Sequence, residues 1–387
     1  MVKKIIIFLT IILIGIGIAE FIIRRFKPQQ TYSKSVENSI NCYDKNSLIP
    51  FTLAKNHTCR MVNINGEYST TATMNSLGYR GKEFTDEKKV GVKRIMIVGD
   101  SMTFGWGVAD NETYPFLTEN LLKAGGRQNI EVINAGYIGG LSLDSFYVYL
   151  KNEGMKLKPD LVIVSFFIFN DIEDLAANKW VKVDGKGLPE KIESCCHEVD
   201  GNILRNKIIS FKYRYPILQE SHFYLAIIDL LQRRFRMFPD RALLSTKGEE
   251  YLGCTLNPDC RDKFREEEVK ALKLITKMKK ITEEEGGEFL VLVLPVDYQI
   301  YPEASAKYER YGMKWYLVPG EEDFAQKRLA ELLYTQQIDY LDLLPEYREK
   351  KNGAYPFYPI DAHFNPVGTK IAAEGLVSFL IKNNIIN

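Results

Sequence analysis

The chain has 387 residues, enough for one large domain with insertions or for two domains. Its 45% hydrophobic and 26% charged residues are an ordinary globular composition, and the 22 Tyr and 21 Phe supply ample apolar material for a core. Lys and Arg total 51 against 50 Asp and Glu, so the net charge of +1 argues for no nucleic-acid or polyanion partner.

The first element is a membrane span. Met1-Val-Lys-Lys leads into Ile5–Ile23, a run interrupted only by Thr10 and Glu20 and closed by Arg24, Arg25 and Lys27. At about 1.5 Å per residue this run nearly crosses a hydrocarbon core of roughly 30 Å. A removable signal peptide is the competing reading, with Gly17-Ile18-Ala19 at plausible cleavage positions. The apolar run continues through Phe21-Ile22-Ile23, which favours a retained anchor. Two lysines precede the span and three basic residues follow it, so the positive-inside rule gives no orientation. All six cysteines lie beyond the span: Cys42, Cys59, Cys195, Cys196, Cys254 and Cys260. Their even number and scattered positions fit disulfides in an oxidising, extracytoplasmic compartment, with Cys42–Cys59 and Cys254–Cys260 the simplest pairs. No CxxC spacing supports the alternative of a metal site at Cys195, Cys196 and His197, and no metal is expected.

Residues 28–90 read as a polar linker followed by an irregular, partly β extension. From residue 91 strands and helices alternate. Arg94–Val98 is a short apolar run ending in Gly99, the pattern of a buried parallel strand. Thr113–Lys123 is the next helix, with Thr113 as cap and Pro115 in its first turn. Glu131–Asn134 is the second strand, Leu141–Glu153 a helix and Asp160–Phe167 the third strand. The alternation stops over 176–262, an insertion holding four of the six cysteines and a basic amphipathic stretch from Ser221 to Met237. It resumes with a helix over Phe264–Glu285, a strand over Phe289–Leu294, a helix over Phe324–Thr335, a strand over Ile338–Leu341 and a final helix over Pro366–Lys382. Five strands alternating with helices predict a three-layer αβα domain on a parallel, flavodoxin-like sheet, carrying a helical insertion. Ligands in such folds sit at the carboxyl ends of the strands.

Gly99-Asp100-Ser101 directly follows the first strand. Serine there is exposed at the switch region, and Gly99 is expected to let the backbone turn sharply. A serine is a poor nucleophile until a base takes its proton. Of the four histidines, His57 precedes the core, His197 and His222 lie in the insertion, and His363 opens the last helix. Asp361 stands two residues before His363, where a turn or a side-chain reorientation must bring its carboxylate to the imidazole; an Asp so placed fixes the tautomer and stabilises the imidazolium. A plain helix-capping Asp beside a rim His is the bland alternative.

At these residues the sequence resembles the SGNH hydrolase superfamily. Its blocks are similar to Gly99-Asp100-Ser101, Asn134-Ala135-Gly136-Tyr137-Ile138-Gly139-Gly140, Asn170-Asp171 and Asp361-Ala362-His363. Met74–Gly81 resembles a lead-in of membrane-anchored bacterial members. The resemblance covers 74–175 and 288–383. It implies Ser101 as nucleophile, His363 as general base, Asp361 as its orienting acid, and an oxyanion hole from the backbone N–H groups of Ser101 and Gly139 and the Asn170 amide. A strand-end turn at Gly139 and a loop cap at Asn170 are the structural alternatives. The third block usually carries Gly two residues before its Asn, where this chain has Ile168. The last block often spaces Asp three residues before His, whereas here the spacing is two, as in some acyltransferase-like relatives.

The resulting layout is an anchor over 1–27, a linker and extension over 28–90, the first half of the SGNH domain over 91–175, an insertion or lid over 176–262, and the second half over 263–387. Trp180, Tyr213, Tyr215, Phe223, Arg233 and Arg234 of the insertion are candidates for a lid or for residues resting near a membrane, although plain packing accounts for them too. Phe104 and Trp106 are candidates for stacking on a sugar ring, with core packing as the alternative. The resemblance and the anchor imply a membrane-bound serine esterase without metal or organic cofactor, acting on carboxylic esters such as an acylated glycan. Its expected partners are that ester substrate and the membrane, through residues 5–23. An O-acyltransferase acting on a cell-surface polysaccharide and an inactive glycan-binding scaffold are the alternatives.

Overall fold

The computed structural model describes residues 2–37, 41–63, 66–137, 140–207, 210–235, 237, 253–308, 313 and 317–386. The chain divides into two compact units. One comprises 1–39 with 206–244, the other 40–205 with 245–387.

The larger unit is built on five parallel strands: β1 (Lys93–Gly99), β2 (Ile130–Gly136), β3 (Leu161–Phe167), β4 (Glu288–Leu294) and β5 (Tyr340–Asp342). Their spatial order is β2-β1-β3-β4-β5, the flavodoxin-like order, which puts the switch point between β1 and β3. Every residue of β3 is buried, and β1 and β4 are buried beyond their first residues, because helices cover both faces. The helices are α1 (Tyr114–Ala124), α2 (Leu143–Asn152), α3 (Asp171–Ala177), α4 (Arg265–Glu284), α5 (Phe324–Thr335) and α6 (Pro366–Lys382). Helix α1 packs against α6, and α2 packs against α4. Right-handed crossovers in this strand order place those two pairs on opposite faces, completing three layers. Sequence signals set the helix starts. Thr113 accepts the Phe116 N–H at the head of α1, and Asn365 accepts from Val367 and Gly368 at the head of α6, each with a proline in the first turn.

The extension before β1 forms an antiparallel hairpin, His57–Val62 with Ser69–Met74, and Arg80 bridges to Asn134 at the edge of β2. All six cysteines pair, as Cys42–Cys59, Cys254–Cys260 and the adjacent Cys195–Cys196. The first two are the pairs expected from spacing; the third removes these cysteines from any metal site. The insertion contains a helix, His222–Phe235, and also two short antiparallel ribbons that the sequence reading did not pick out, Lys179–Val183 with Pro189–Glu193 and His197–Asp200 with Ile203–Asn206.

The smaller unit holds the N-terminal helix Val2–Phe26 and the helix His222–Phe235, which pack on one another. The first is 25 residues long, about 37 Å at 1.5 Å per residue, with a mean hydropathy of 2.8 over its most apolar window and none of that window buried. It is long and apolar enough to cross a bilayer.

Candidate active site

Strand β1 delivers Ser101 to the switch point. Asp100 leaves the strand extended and caps the short helix Ser101–Phe104, its Oδ1 accepting the Met102 N–H at 2.9 Å. That helix sits on the strand ends without clearance. A Cβ at Gly99 would lie 2.1 Å from Thr103 Oγ1, and one at Gly136 would lie 2.1 Å from the Phe104 nitrogen. Gly99 is therefore required for room. Its φ lies outside the left-handed region, so the sharp turn expected of it is not its task. Burial pushes the Asp100 carboxyl up to about 6, against the hydrogen bond from Met102 and the nearby His363 ring. Ser101 remains partly exposed.

The loop after Ser101 is held by a residue of the lead-in motif. Arg80, buried, donates to the carbonyls of Phe104 (2.7 Å), Gly105 (2.5 Å) and Val108 (2.6 Å), and pairs with Asp110 at 2.9 Å. Phe104 lies fully buried beneath that guanidinium, so it is core and unavailable to a sugar. Trp106 is partly exposed, its ring centroid 6.0 Å from that of His363.

The other side of the site comes from the loop before α6. His363 Nε2 lies 2.8 Å from Ser101 Oγ, and its Nδ1 meets Asp361 Oδ1 in a short hydrogen bond. The turn that permits this is at Ala362, whose φ of 74° is left-handed, rare for a residue with a side chain. Its N–H donates to the Tyr358 carbonyl at 2.9 Å and the His363 carbonyl accepts from Tyr358 N at 2.8 Å, closing the loop. Burial pushes the Asp361 carboxyl up, but the His363 ring facing it, with hydrogen bonds from His363, Tyr68 and Trp106, outweighs burial and holds it at about 2. For His363 burial works against the charged form, yet the Asp361 carboxylate prevails and raises the imidazole above its ordinary value. A hydroxyl, an imidazole and a carboxylate in this line can pass the hydroxyl proton to the ring and stabilise the ring once charged.

Two residues of this network gave no signal in the sequence. Tyr68 Oη donates to Asp361 Oδ2 at 2.9 Å, and the Glu67 carboxylate accepts the N–H groups of Ile360 (2.6 Å) and Asp361 (2.9 Å). Both come from the hairpin of the N-terminal extension, nearly three hundred residues away, where no local pattern marks them. Further along, Asp297 is buried against Lys307 and accepts from the Tyr308 and Tyr355 hydroxyls, both at 2.8 Å.

The candidate oxyanion donors stand differently. Gly139 lies outside the described residues. Asn170 occupies the cap position of α3, but its side chain makes no capping bond; Nδ2 donates to Asp174 Oδ2 at 2.8 Å, and Oδ1 is buried without a hydrogen-bond partner among the described residues. Burial and the neighbouring Asp100 and Asp144 push Asp174 up to about 7. Ile168, at the position where a glycine is usual, continues the β3 ladder by donating to the Leu294 carbonyl. Trp180 donates to Asp144 at 2.9 Å within the larger unit, whereas Tyr213, Tyr215, Phe223 and Arg234 belong to the smaller one; the Arg233 side chain lies outside the described residues.

Comparison with known proteins gives one family. Residues 259–386 match the SGNH hydrolase-like domain described for the acetyltransferase AlgX; His363 and Asp361 fall inside the match and Ser101 before it. No curated protein matches the chain in sequence. Among solved structures, the chain is similar to a lipase/acylhydrolase from Enterococcus faecalis at 13% identity and a TM-score of 0.38, covering 76% of this chain and 97% of that one. It is similar to an α/β hydrolase from the metagenome of Lake Arreo at 14% identity and a TM-score of 0.39, covering 76% and 96%. A catalytic mutant of an acetylxylan esterase from Geobacillus stearothermophilus is similar at 13% identity and a TM-score of 0.37, covering 75% and 95%. The family match thus spans the C-terminal third of the chain, residues 259–386, which is similar to an SGNH hydrolase-like domain, while Ser101 stands on a sheet of flavodoxin-like strand order.

Proposed function

We propose that the protein is a membrane-tethered serine enzyme that opens carboxylic esters through an acyl-serine intermediate. The observation carrying this reading is the unbroken line from Ser101 Oγ through His363 to Asp361. In the first step Ser101 Oγ bonds to the ester carbonyl carbon as its proton moves to His363 Nε2. The C–O bond to the alcohol then breaks, and the alcohol leaves with that proton. Asp361 keeps the imidazole in the receiving tautomer and balances its charge. Backbone N–H of Ser101 and Gly139 and the Asn170 amide are proposed to hold the oxyanion, on the strength of the motif resemblance. In the second step water attacks the acyl-serine carbonyl as His363 takes its proton; the bond to Ser101 Oγ then breaks, His363 returns the proton to Oγ, and the carboxylic acid departs.

A second reading has its own support. The family match is to an acetyltransferase domain, in which an acceptor hydroxyl in place of water would resolve the same acyl-serine. An O-acetylated glycan is the proposed substrate in the first reading, and a glycan hydroxyl the proposed acceptor in the second.

Labelling by a fluorophosphonate probe tests the shared step. Wild type is expected to label at Ser101, while Ser101→Ala and His363→Ala are expected to lose labelling. An unlabelled wild type refutes both readings and favours a non-enzymatic scaffold. Release of p-nitrophenol from p-nitrophenyl acetate, followed with and without a glycan acceptor, separates them: free acetate marks the esterase and acetylated glycan the transferase.

A further inference from the structure

The N-terminal helix carries one acidic residue in its apolar stretch, Glu20, and that residue is occupied. Its Oε2 accepts from Ser221 Oγ at 2.9 Å and from the Phe223 N–H at 2.7 Å, and its Oε1 accepts from Arg24 at 2.9 Å. A carboxylate in the first helix thus caps the second, His222–Phe235, and complements the positive end of its dipole. More bonds follow at the same level. Gln29 N–H donates to His222 Nδ1 at 2.8 Å, Glu220 accepts from Ser33 N–H and Oγ, both at 2.8 Å, and Tyr213 Oη donates to the Gln30 carbonyl at 2.9 Å. An acidic side chain inside an apolar helix is expensive unless it has a task; here it ties the second helix down.

Leu225 and Ile228 of that second helix are 2% and 6% exposed. Its other side is open: Ile227 is 38% and Leu230 59% exposed, and the turn just before it leaves Ile217 90% exposed. The depth of the tie indicates what covers them. Glu20 stands six residues before the end of Val2–Phe26, about 9 Å along the axis, which matches the roughly 5–10 Å at which interfacial helices embed. At 14 residues the second helix is about 21 Å long, too short to span a bilayer of roughly 30 Å. Arg234, Lys212 and Arg214 supply the cationic side chains that suit lipid headgroups.

We propose that helix His222–Phe235, with the turn before it, is an interfacial membrane element docked on the anchor, with Ile217, Ile227 and Leu230 in contact with lipid. The proposal rests on reading Val2–Phe26 as a membrane span. The chain then grips the bilayer twice, once through it and once along its surface.

Full-length protein in vesicles of phosphatidylcholine and phosphatidylglycerol, spin-labelled at one introduced cysteine, tests this. The variants are Ile227→Cys and Leu230→Cys, with Leu13→Cys as the span control and Val269→Cys, 65% exposed in the larger unit, as the water control. Accessibility to oxygen relative to a water-soluble nickel chelate is expected to be several-fold higher at 227 and 230 than at 269, with 13 higher still. Chelate access at 227 and 230 with 13 protected overturns the interfacial helix and leaves the span standing. Shielding of 227 and 230 from both reagents also overturns it, because protein then covers the face. Chelate access at 13 refutes the span itself. Retained fluorophosphonate labelling shows that each variant is folded.

Discussion

Tyr68 gives its phenolic proton to Asp361 Oδ2, the carboxylate oxygen that His363 does not use. Asp361 therefore serves more than His363, and this partner comes from the N-terminal extension. Tyr68→Phe removes one hydroxyl and leaves the ring packed on Tyr358, 4.8 Å between centroids. Hydrogen bonds to charged groups contribute about 1.5–3 kcal/mol to stability, so a lower melting temperature is expected together with a fall in kcat of up to roughly ten- to a hundredfold if the contact also holds Asp361 in place. Steady-state kinetics beside a melting curve checks this; unchanged kcat would show the contact to be idle.

The pH profile follows from His363. The ring accepts the Ser101 proton only when neutral, and Asp361 raises its pKa above the ordinary 6.5. The acid limb of kcat/KM is expected above 6.5, with activity rising as pH rises through it. Asp361→Asn removes the raising charge, so the limb moves to lower pH while kcat falls, by about 10⁴ in the serine-protease template. The stability signs are opposite for the two partners. The His363 contribution is complete below 6.5 and lost as pH rises through its folded value. The Asp361 contribution is present above the ordinary 3.8 and lost as pH falls toward about 2. A pH–rate profile of both proteins decides the matter.

Asn170 and Asp174 are expected to act as one device. Loss of a fixed oxyanion donor typically costs about 10²–10³ in rate, the expectation for Asn170→Ala. Asp174 accepts the Asn170 amide at 2.8 Å and is expected to orient it, so Asp174→Ala should cost roughly tenfold. The double variant should be no slower than Asn170→Ala alone. Additive losses in kcat would show that Asp174 acts elsewhere.

Arg80 is a stability prediction. Its buried fork satisfies three carbonyls in the segment after Ser101 and pairs with Asp110. Arg80→Met leaves these groups unpaired, and breaking a buried pair costs about 3–5 kcal/mol. Thermal melting should show a fall of roughly 6–20 °C, at about 2–4 °C per kcal/mol. Arg80→Lys should rescue little of it, since one ammonium lacks the planar fork.

Much of the central sheet was legible because strands buried on both faces read as continuous apolar runs, and β3 and β4 fell within a residue of expectation. Ser101 and His363 were legible for a related reason: each follows or precedes a regular element that can be read, a strand end and a capped helix. The ribbon Lys179–Val183 was not, because it is exposed along almost its whole length and so lacks the two-residue apolar alternation that betrays a half-buried strand. Glu67 and Tyr68 were hidden because their partners are set by tertiary packing alone. The spacing of Asp361 and His363 asks for a turn or a side-chain reorientation, and the left-handed Ala362 that makes the turn has no sequence mark, since alanine rarely adopts that backbone.

Ser101 and His363 are 262 positions apart, yet they share one proton. A ribosome delivers the hydroxyl long before the ring, so a growing or truncated chain carries an inert alcohol. On the proposed mechanism, reactivity toward esters would switch on only after the last helix has folded back across α1, making completion of the fold its own safety catch.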